Sequence, residues 1–440
     1  MNGFLTADEA KRRISAGDFD LRMKQFYGVP ESELTHYRLR IVNAISRFTE
    51  LYGNRPLRVF SVSGRTELGG NHTDHQGGRV LAGGISLDII AVAAPTDSRE
   101  IHVKSEGYPE DSVDLRDLEI NPDENGTSQA LLRGTAARFA ALGKPVRGFA
   151  AYTTSDVLQG SGMSSSAAYE VMLGMICNDF FADSSFSLIE LAMIAQYAEN
   201  VYFGKPCGLM DQMACALGTV TAMDFQNADA PRCDQIALNL AQNGYALCII
   251  DSGADHADLT SEYAAVPREM NAVANMLGAK KLRQTDEAAF WANLPDIRRV
   301  CGDRAVLRAM HFYGDNARVE QQTSALRKGD FAQYLALVKE SGRSSESYLQ
   351  NITPTGFAAQ QPVAFALSVC AHLLNGKGAY RVHGGGFAGT VQAYVPLDMV
   401  GEFRSETERL LGRGACHVLQ LRGCGASALW DEPKGAGSCC

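Results

Sequence analysis

The amino-acid sequence predicts an α+β protein with two domains. Its 440 residues, 45% of them hydrophobic, exceed what a single core usually holds. Short runs of Val, Ile and Ala, typical of strands, alternate with segments whose apolar residues recur every three or four positions, as in helices. This alternation of predicted strands and helices starts again after about residue 225. We therefore predict an N-terminal domain over residues 1–225 and a C-terminal domain over 226–440.

The predicted elements follow from this spacing, taken in chain order. In the first half, strands are predicted at 58–62, 85–94 and 148–154, and helices at 40–52, 127–142, 164–180 and 187–200. A polar, glycine-rich connection is expected over 64–84 and an acidic surface excursion over 107–128. In the second half, strands are predicted at 245–250, 379–382, 390–395 and 417–421, and helices at 261–277, 286–293, 303–326, 330–348 and 397–411.

Charge and composition exclude some classes of function. The chain has 41 basic and 50 acidic residues, a net charge of -9, whereas a nucleic-acid-binding protein needs a basic surface. No segment approaches the roughly 20 apolar residues of a membrane helix, and the N-terminus lacks a signal-peptide pattern. The 11 cysteines form no Cys-x-x-Cys pair, so we expect free thiols and a cytoplasmic protein.

A Gly/Ser loop after the strand at 148–154 is the first candidate site. Its glycines allow close approach of a ligand, and its backbone N–H groups, together with the start of the following helix, can bind an anion. The loop matches neither a Walker A motif nor a dinucleotide fingerprint, and a simple Gly/Ser turn capping a helix is the alternative. Its residues are Gly160, Ser161, Gly162, Met163, Ser164, Ser165, Ser166 and Ala167.

Three further clusters combine glycine with polar side chains. The segment 64–78 contains a cation, carboxylates and imidazoles that can bond the hydroxyls of a small polyol. His72, Asp74 and His75 are also metal-ligand types, but imidazoles on such a loop are more often hydrogen-bonding groups. Asp211, at the start of a predicted helix, is a candidate base, and Gly384–Gly386 requires unusual backbone angles or close approach to a ligand.

Taken together and in this order, the clusters resemble the motifs of the GHMP kinases and, within them, of the galactokinase family. Gly64–Gly78 resembles the galactokinase signature, 160–168 the ATP loop, 206–212 the Pro-Cys-Gly-Ile-Met-Asp-Gln segment, 261–263 a Ser-Glu-Tyr element and 384–389 the glycine-rich motif. The resemblance covers residues 58–395. It implies a two-domain fold in which each domain is a mixed sheet packed with helices, with the active site in the cleft between them.

The resemblance also implies roles for individual residues. Asp211 would be the base and Arg65 the arginine facing it, in a transfer of the terminal phosphate of ATP to a sugar's anomeric hydroxyl. Ser165 and Glu199 would bind Mg²⁺, which prefers such hard oxygen ligands. The matching sugar-binding positions are Asn71, His72, Asp74, Gly208 and Tyr263.

Asn71 departs from the family pattern, because galactokinases usually have Glu at the contact to the sugar's 6-hydroxyl. A 1-kinase for a related sugar, such as a uronic acid or an N-acetylhexosamine, is therefore an alternative to galactose. A non-catalytic sugar sensor and a structural α/β protein are alternatives of other classes. The expected partners are the sugar and ATP, without nucleic acid or membrane, and the expected state is a monomer or a weak homodimer.

Overall fold

The computed structural model describes residues 3–157, 162–253, 259–387 and 389–431. The helices are α1 (Ala7–Ala16), α2 (Asp20–Tyr27), α3 (Leu34–Tyr52), α4 (Ser128–Ala141), α5 (Ser165–Ala182), α6 (Leu188–Tyr197), α7 (Met210–Leu217), α8 (Thr260–Met276), α9 (Glu287–Ala292), α10 (Leu294–Cys301), α11 (Asp303–Arg327), α12 (Phe331–Ser344), α13 (Pro362–Leu374) and α14 (Val400–Leu411). The strands are β1 (Arg58–Gly69), β2 (Arg79–Pro95), β3 (Glu100–Ser105), β4 (Glu110–Asp114), β5 (Phe149–Ser155), β6 (Thr221–Asp224), β7 (Arg232–Gln235), β8 (Tyr245–Asp251), β9 (Ala379–His383), β10 (Thr390–Pro396), β11 (Cys416–Leu419) and β12 (Ser427–Ala428). None of the helices in these ranges is long and apolar enough to cross a membrane.

A mixed eight-stranded sheet with both faces covered forms the first half of the molecule. Its main path runs β12-β1-β2-β5-β3-β4, with β6 and β7 added beside β2 and the pair β3–β5 parallel. Alternate residues of β2 enter two different cores, as the two-residue period of a strand requires. Ile89, Ala91 and Ala93 face the core with α4–α7, whereas Ile90, Val92 and Ala94 face the core with α1–α3.

A four-stranded antiparallel sheet, ordered β11-β8-β10-β9, forms the centre of the second half. One face packs on α13 and α14 through a small apolar core that includes Cys248, Val382 and Phe403. A separate helical core joins α8, α10 and α11. The two sheets meet where β1 lies against β9 and β10, and this seam positions the site described below.

Most predicted elements are confirmed, but the connection expected over 64–84 is wrong at both ends. β1 continues to Gly69 and β2 begins at Arg79, so only nine residues join them. Glycine and polar residues are accommodated in β1 because the ladder contains two bulges and because the seam supplies hydrogen bonds to the polar groups. The excursion expected over 107–128 includes β4, and α10 and α13 have no counterpart among the predicted elements.

The division predicted at residue 225 stays a prediction, although the first sheet includes strands from both sides of that residue. β7 lies beyond residue 225 and pairs with β6 in the first sheet. β12, near the end of the described chain, pairs with β1 in that same sheet. Both sides of the predicted division therefore contribute strands to the first sheet.

Candidate active site

An arginine–aspartate pair lies at the centre of the seam. Arg65 of β1 donates from Nε to Asp211 Oδ1 at 2.7 Å and from Nη2 to Oδ2 at 2.8 Å. The Arg65 side chain is 6% exposed, whereas that of Asp211, in the first turn of α7, is 34% exposed. The arginine is therefore fixed in the protein, while its carboxylate partner remains accessible to a ligand.

The surroundings of Asp211 keep it ionised. Burial raises the pKa of Asp211, but the charge of Arg65 and hydrogen bonds from Arg65 and Ser164 outweigh that effect, and the pKa lies below its ordinary value. At neutral pH, Asp211 is thus a carboxylate able to accept a proton or a hydrogen bond.

The Gly/Ser loop comes directly against this pair. Arg65 donates from Nη1 to the carbonyl of Gly162, and its backbone N–H donates to the carbonyl of Met163 at 3.1 Å. Ser164 adopts the left-handed conformation, with φ at 56°, and its hydroxyl donates to Asp211. A non-glycine residue held in this conformation stores strain, which is common at functional sites.

The loop ends at the N-terminus of α5, as the sequence predicts. Ser165 is half-buried and Ser166 exposed in the first turn, while Met163 and Ala167 are buried in the core below. The N–H groups of a first turn lack partners within the helix, so this end of α5 can accept an anion. Gly160 and Ser161 lie outside the described residues.

A buried carboxyl cluster lies behind Asp211. Glu199, in a π-helical turn over Ala198–Phe203, accepts from Gln212 Nε2 at 2.7 Å and pairs with Lys205 at 3.4 Å. The same Gln212 nitrogen donates to Glu170 of α5 at 2.9 Å. Burial, followed by the charge of Glu199, raises the pKa of Glu170 well above its ordinary value.

Sequence reasoning assigned a role to Glu199 but none to Gln212, which donates to it, or to Glu170, which accepts from the same Gln212 nitrogen. Glu170 does carry a signal, because it lies among the core residues Ala167 and Val171 on α5, where a lone carboxyl group is unexpected. Gln212 ends the 206–212 segment that resembles the galactokinase motif, but an amide on a short helix is ordinary, and nothing in the sequence predicts its bond to Glu199.

The glycine-rich motif of the second half begins beside the Arg65–Asp211 pair. A Cβ on Gly384 would lie 3.7 Å from Arg65 Nη2, and a Cβ on Gly162 would lie 3.1 Å from Thr390 Oγ1. Buried His383 accepts at Nε2 from the N–H of Glu67 at 3.3 Å, and burial lowers its pKa well below the ordinary value. His383 is therefore a neutral structural link across the seam.

Four of the predicted sugar-binding residues lie near the glycine-rich motif and the Arg65–Asp211 pair. His72 Nε2 is 3.0 Å from the carbonyl oxygen of Gly385, and the Tyr263 hydroxyl donates to the carbonyl of Gly386 at 2.8 Å. Asp74 lies directly beside Gly208, two residues before α7. Burial and the nearby Asp211 raise the pKa of Asp74, against the opposing effects of His72 and two backbone N–H groups.

The side chain of Asn71, the fifth predicted sugar-binding residue, is fully buried. Its amide nitrogen donates to the carboxylate of Glu67 and to the carbonyl of Gly384, and its oxygen accepts from Asn351 and Ser345. These hydrogen bonds all lie within the protein, so they do not test the predicted contact between Asn71 and a sugar.

The close approach at Gly208 gives a first testable prediction. A Cβ at this position would lie 1.7 Å from Asp74 Oδ2, so Gly208→Ala must displace the Asp74 carboxylate. If Asp74 holds substrate hydroxyls, we expect the KM for sugar to rise at least about tenfold, the effect of losing one good polar contact. Gly401→Ala, on α14 with open space around it, is the matched control. An unchanged KM in a folded Gly208→Ala protein would remove Asp74 from the sugar site.

A cavity of about 720 Å³ lies next to the Gly/Ser loop, where no sequence motif predicts one. Its walls come from β3, β4, β5, the start of α4 and the start of α5, including Ser165 and Ser166. Tyr108, Tyr169 and Phe203 supply aromatic surface, while Glu106 and Asp111 supply carboxylates. Residues this dispersed along the chain form no motif, and part of the wall is the segment expected to be a surface excursion.

Family models and solved structures of known proteins match parts of this chain or its fold. The model of the GHMP kinases N terminal domain matches residues 130–219, and the model of the galactokinase galactose-binding signature matches residues 46–95. The solved structure of Lactococcus lactis galactokinase complexed with galactose superposes with a TM-score of 0.75 at 23% identity, covering 88% of this chain and 99% of that one. Methanococcus jannaschii mevalonate kinase superposes with a TM-score of 0.58 at 14% identity, covering 82% and 98%.

The superposed structures and the matched N-terminal domain therefore show the GHMP kinase fold, with the two-domain α+β architecture that the sequence predicts. A galactokinase of Streptomyces coelicolor is 30% identical over 349 residues, which is 78% of this chain and 86% of that protein. The chain belongs to the galactokinase family.

Proposed function

We propose that this protein transfers the terminal phosphate of ATP to the anomeric hydroxyl of galactose, giving galactose 1-phosphate and ADP. Family membership supports the reaction class, and the Arg65–Asp211 pair beside the Gly/Ser loop carries the assignment to this site. A carboxylate accessible to substrate, beside a helix start whose N–H groups can bind phosphate, suits phosphoryl transfer to a hydroxyl.

In the proposed reaction, Asp211 accepts the proton of the sugar's 1-hydroxyl as that oxygen bonds to the terminal phosphorus. The bond from this phosphorus to the bridging oxygen breaks, and ADP leaves with the electron pair. Arg65 keeps Asp211 ionised and offsets negative charge on the transferring group. Because phosphoryl transfer depends mainly on positioning and electrostatics, a carboxylate of low pKa suffices as base.

For the sugar, we propose that Asp74 and His72 bond ring hydroxyls, with Gly208 and Tyr263 shaping the same surface. Asp74 can accept two hydrogen bonds from neighbouring hydroxyls, and Gly208 leaves its carboxylate room. Tyr263, bonded to Gly386, fixes the glycine-rich motif beside the segment that contains His72 and Asp74.

We propose the 720 Å³ cavity as the place of the adenine and ribose. It is large enough for both, since small-molecule sites commonly measure about 300–1,000 Å³. Ser165 and Ser166 belong to both the cavity wall and the first turn of α5. A nucleotide there would direct its phosphates toward the helix start and the Arg65–Asp211 pair.

The donor set also fits Mg²⁺ held by Ser165 and Glu199. Mg²⁺ is usually bound by one or two carboxylates together with phosphate oxygens and water, so a hydroxyl and a carboxylate are sufficient. Among the described residues, Glu170 Oε1 and Gln212 Oε1 are buried without a hydrogen-bond partner, which leaves oxygen atoms for water in this cluster. The ion would neutralise phosphate charge, while Gln212 orients Glu199.

A sugar panel with a coupled ADP assay tests the proposal. We expect ATP- and Mg²⁺-dependent turnover with galactose among the best substrates, and loss of turnover on chelation that Mg²⁺ restores. If galactose is among the poorest substrates, the galactose assignment is wrong and the enzyme is a kinase for another sugar. Sugar and ATP binding without any turnover would show a sensor rather than an enzyme.

A further inference from the structure

The amide of Asn71 has no hydrogen-bonding capacity left for a substrate. A primary amide can donate two hydrogen bonds and accept two. The nitrogen donates to Gly384 O at 2.7 Å and to the two Glu67 carboxylate oxygens at 3.2 and 3.3 Å. The oxygen accepts from Asn351 Nδ2 at 2.9 Å and from Ser345 Oγ at 3.2 Å.

These partners are matched to an amide rather than to a carboxylate. Glu67 and the carbonyl of Gly384 both present acceptor oxygens to residue 71. A glutamate at position 71 has only acceptor oxygens, so it could donate to neither of them. Burying two carboxylates in contact also carries a large electrostatic cost. The residue that galactokinases usually have at this position is therefore incompatible with the neighbours that Asn71 has here.

The backbone around Asn71 is fixed as firmly as its side chain. Its N–H donates to Asp315 Oδ2 at 2.8 Å, and its carbonyl lies 2.9 Å from Nε2 of buried His311. Both partners come from α11 of the second half of the chain. Turning Asn71 toward a sugar would break bonds on the side chain without releasing the backbone.

The neighbouring carboxylate does not replace the missing one. Glu67 is 1% exposed and forms an ion pair with Arg381, which is itself buried. It also accepts from Asn71, so its charge is compensated within the protein. Buried and paired in this way, Glu67 presents no carboxylate oxygen to a substrate.

We infer that Asn71 is a structural residue of the seam, that it does not read the sugar's 6-hydroxyl, and that this enzyme accepts galactose lacking that hydroxyl. The inference rests on the proposed function. A site built to bond a substrate hydroxyl rejects an analogue lacking it by about 10⁴–10⁵-fold, because its own polar groups are left unpaired. Here the polar groups of residue 71 are paired whether or not the 6-hydroxyl is present.

The deciding experiment compares kcat/KM for galactose and 6-deoxygalactose on the full-length protein with ATP and Mg²⁺. We expect the two values to agree within about tenfold, as when no buried polar group loses its partner. A larger preference for galactose overturns the inference and leaves galactokinase activity established. Turnover of neither sugar contradicts the proposed function, and the inference with it.

Asn71→Ala separates the two possible roles of this residue. We expect it to lower the unfolding midpoint in urea but to leave the ratio of the two kcat/KM values unchanged within about twofold, because additive effects cancel in a ratio. Asp74→Asn is the matched control in the same loop and should lower kcat/KM for both sugars together. A ratio that shifts more than about threefold in Asn71→Ala would show that residue 71 does contact the 6-position.

Discussion

Replacing Asp211 by Asn should lower kcat about 1,000-fold, within the roughly 10²–10⁴-fold that a positioned base contributes. The amide keeps the size of the side chain but can no longer accept the proton of the sugar hydroxyl. It also loses the charge that pairs with Arg65 through two hydrogen bonds. Single-turnover measurements with saturating ATP and galactose isolate this step from product release.

ATP binding by the Asp211→Asn variant distinguishes a catalytic role of Asp211 from a structural one. The Asp211 side chain is one-third exposed, so we expect the variant to fold and to bind ATP within about threefold of the unmodified protein. Asp398→Asn, at an exposed position before α14, is the control and should retain full activity. Turnover by Asp211→Asn at the unmodified rate would exclude Asp211 as the base.

The pH profile adds a second readout. Because Arg65 and Ser164 hold the pKa of Asp211 below its ordinary value, the base stays ionised as the pH falls through the usual aspartate range. If Asp211 is the base, any loss of kcat at mildly acidic pH must come from another group. Asp74, whose pKa burial raises, is a candidate within the site.

The pairing of Arg65 with Asp211 shows where reasoning from sequence stops. The two residues are 146 positions apart, on a strand and on a short helix, and no local pattern predicts that they meet. Resemblance to the galactokinase motifs predicted the pair, whereas periodicity did not place Arg65 on a strand, because the predicted strand ended at residue 62 and β1 continues to Gly69. Elements with strong periods, such as α5 and α11, were predicted to within two residues.

The missed features share a physical cause, which is tertiary context. The end of β1 reads as a loop because Gly64 and Gly69 weaken strand propensity, yet the segment is held by β2 and by partners such as Gln392 across the seam. The role of Asn71 is equally invisible in sequence, because its four partners come from Glu67 and from residues 345, 351 and 384.

Replacing Arg381 by Met should destabilise the protein by about 3–5 kcal/mol, the usual cost of removing one partner of a buried ion pair. Arg381 is fully buried and pairs with Glu67, and it donates to Ser341 Oγ at 3.3 Å. Without it, Glu67 loses its ion-pair partner and either keeps a poorly compensated charge in the seam or must take up a proton. Urea unfolding followed by circular dichroism measures the loss.

Two comparisons test whether the uncompensated charge of Glu67 causes this loss. Arg409→Met removes an exposed pair with Glu406 and should change stability by less than about 1 kcal/mol. Adding Glu67→Gln to Arg381→Met removes the stranded charge and should recover part of the lost stability, since a neutral buried side chain costs less than an unpaired ion. If the double variant is no more stable than Arg381→Met alone, the loss arises from packing and hydrogen bonds rather than from charge. The recovery is expected because Asn71 can donate to an amide oxygen at position 67 as it donates to the carboxylate, so that neutral pairing across the seam survives.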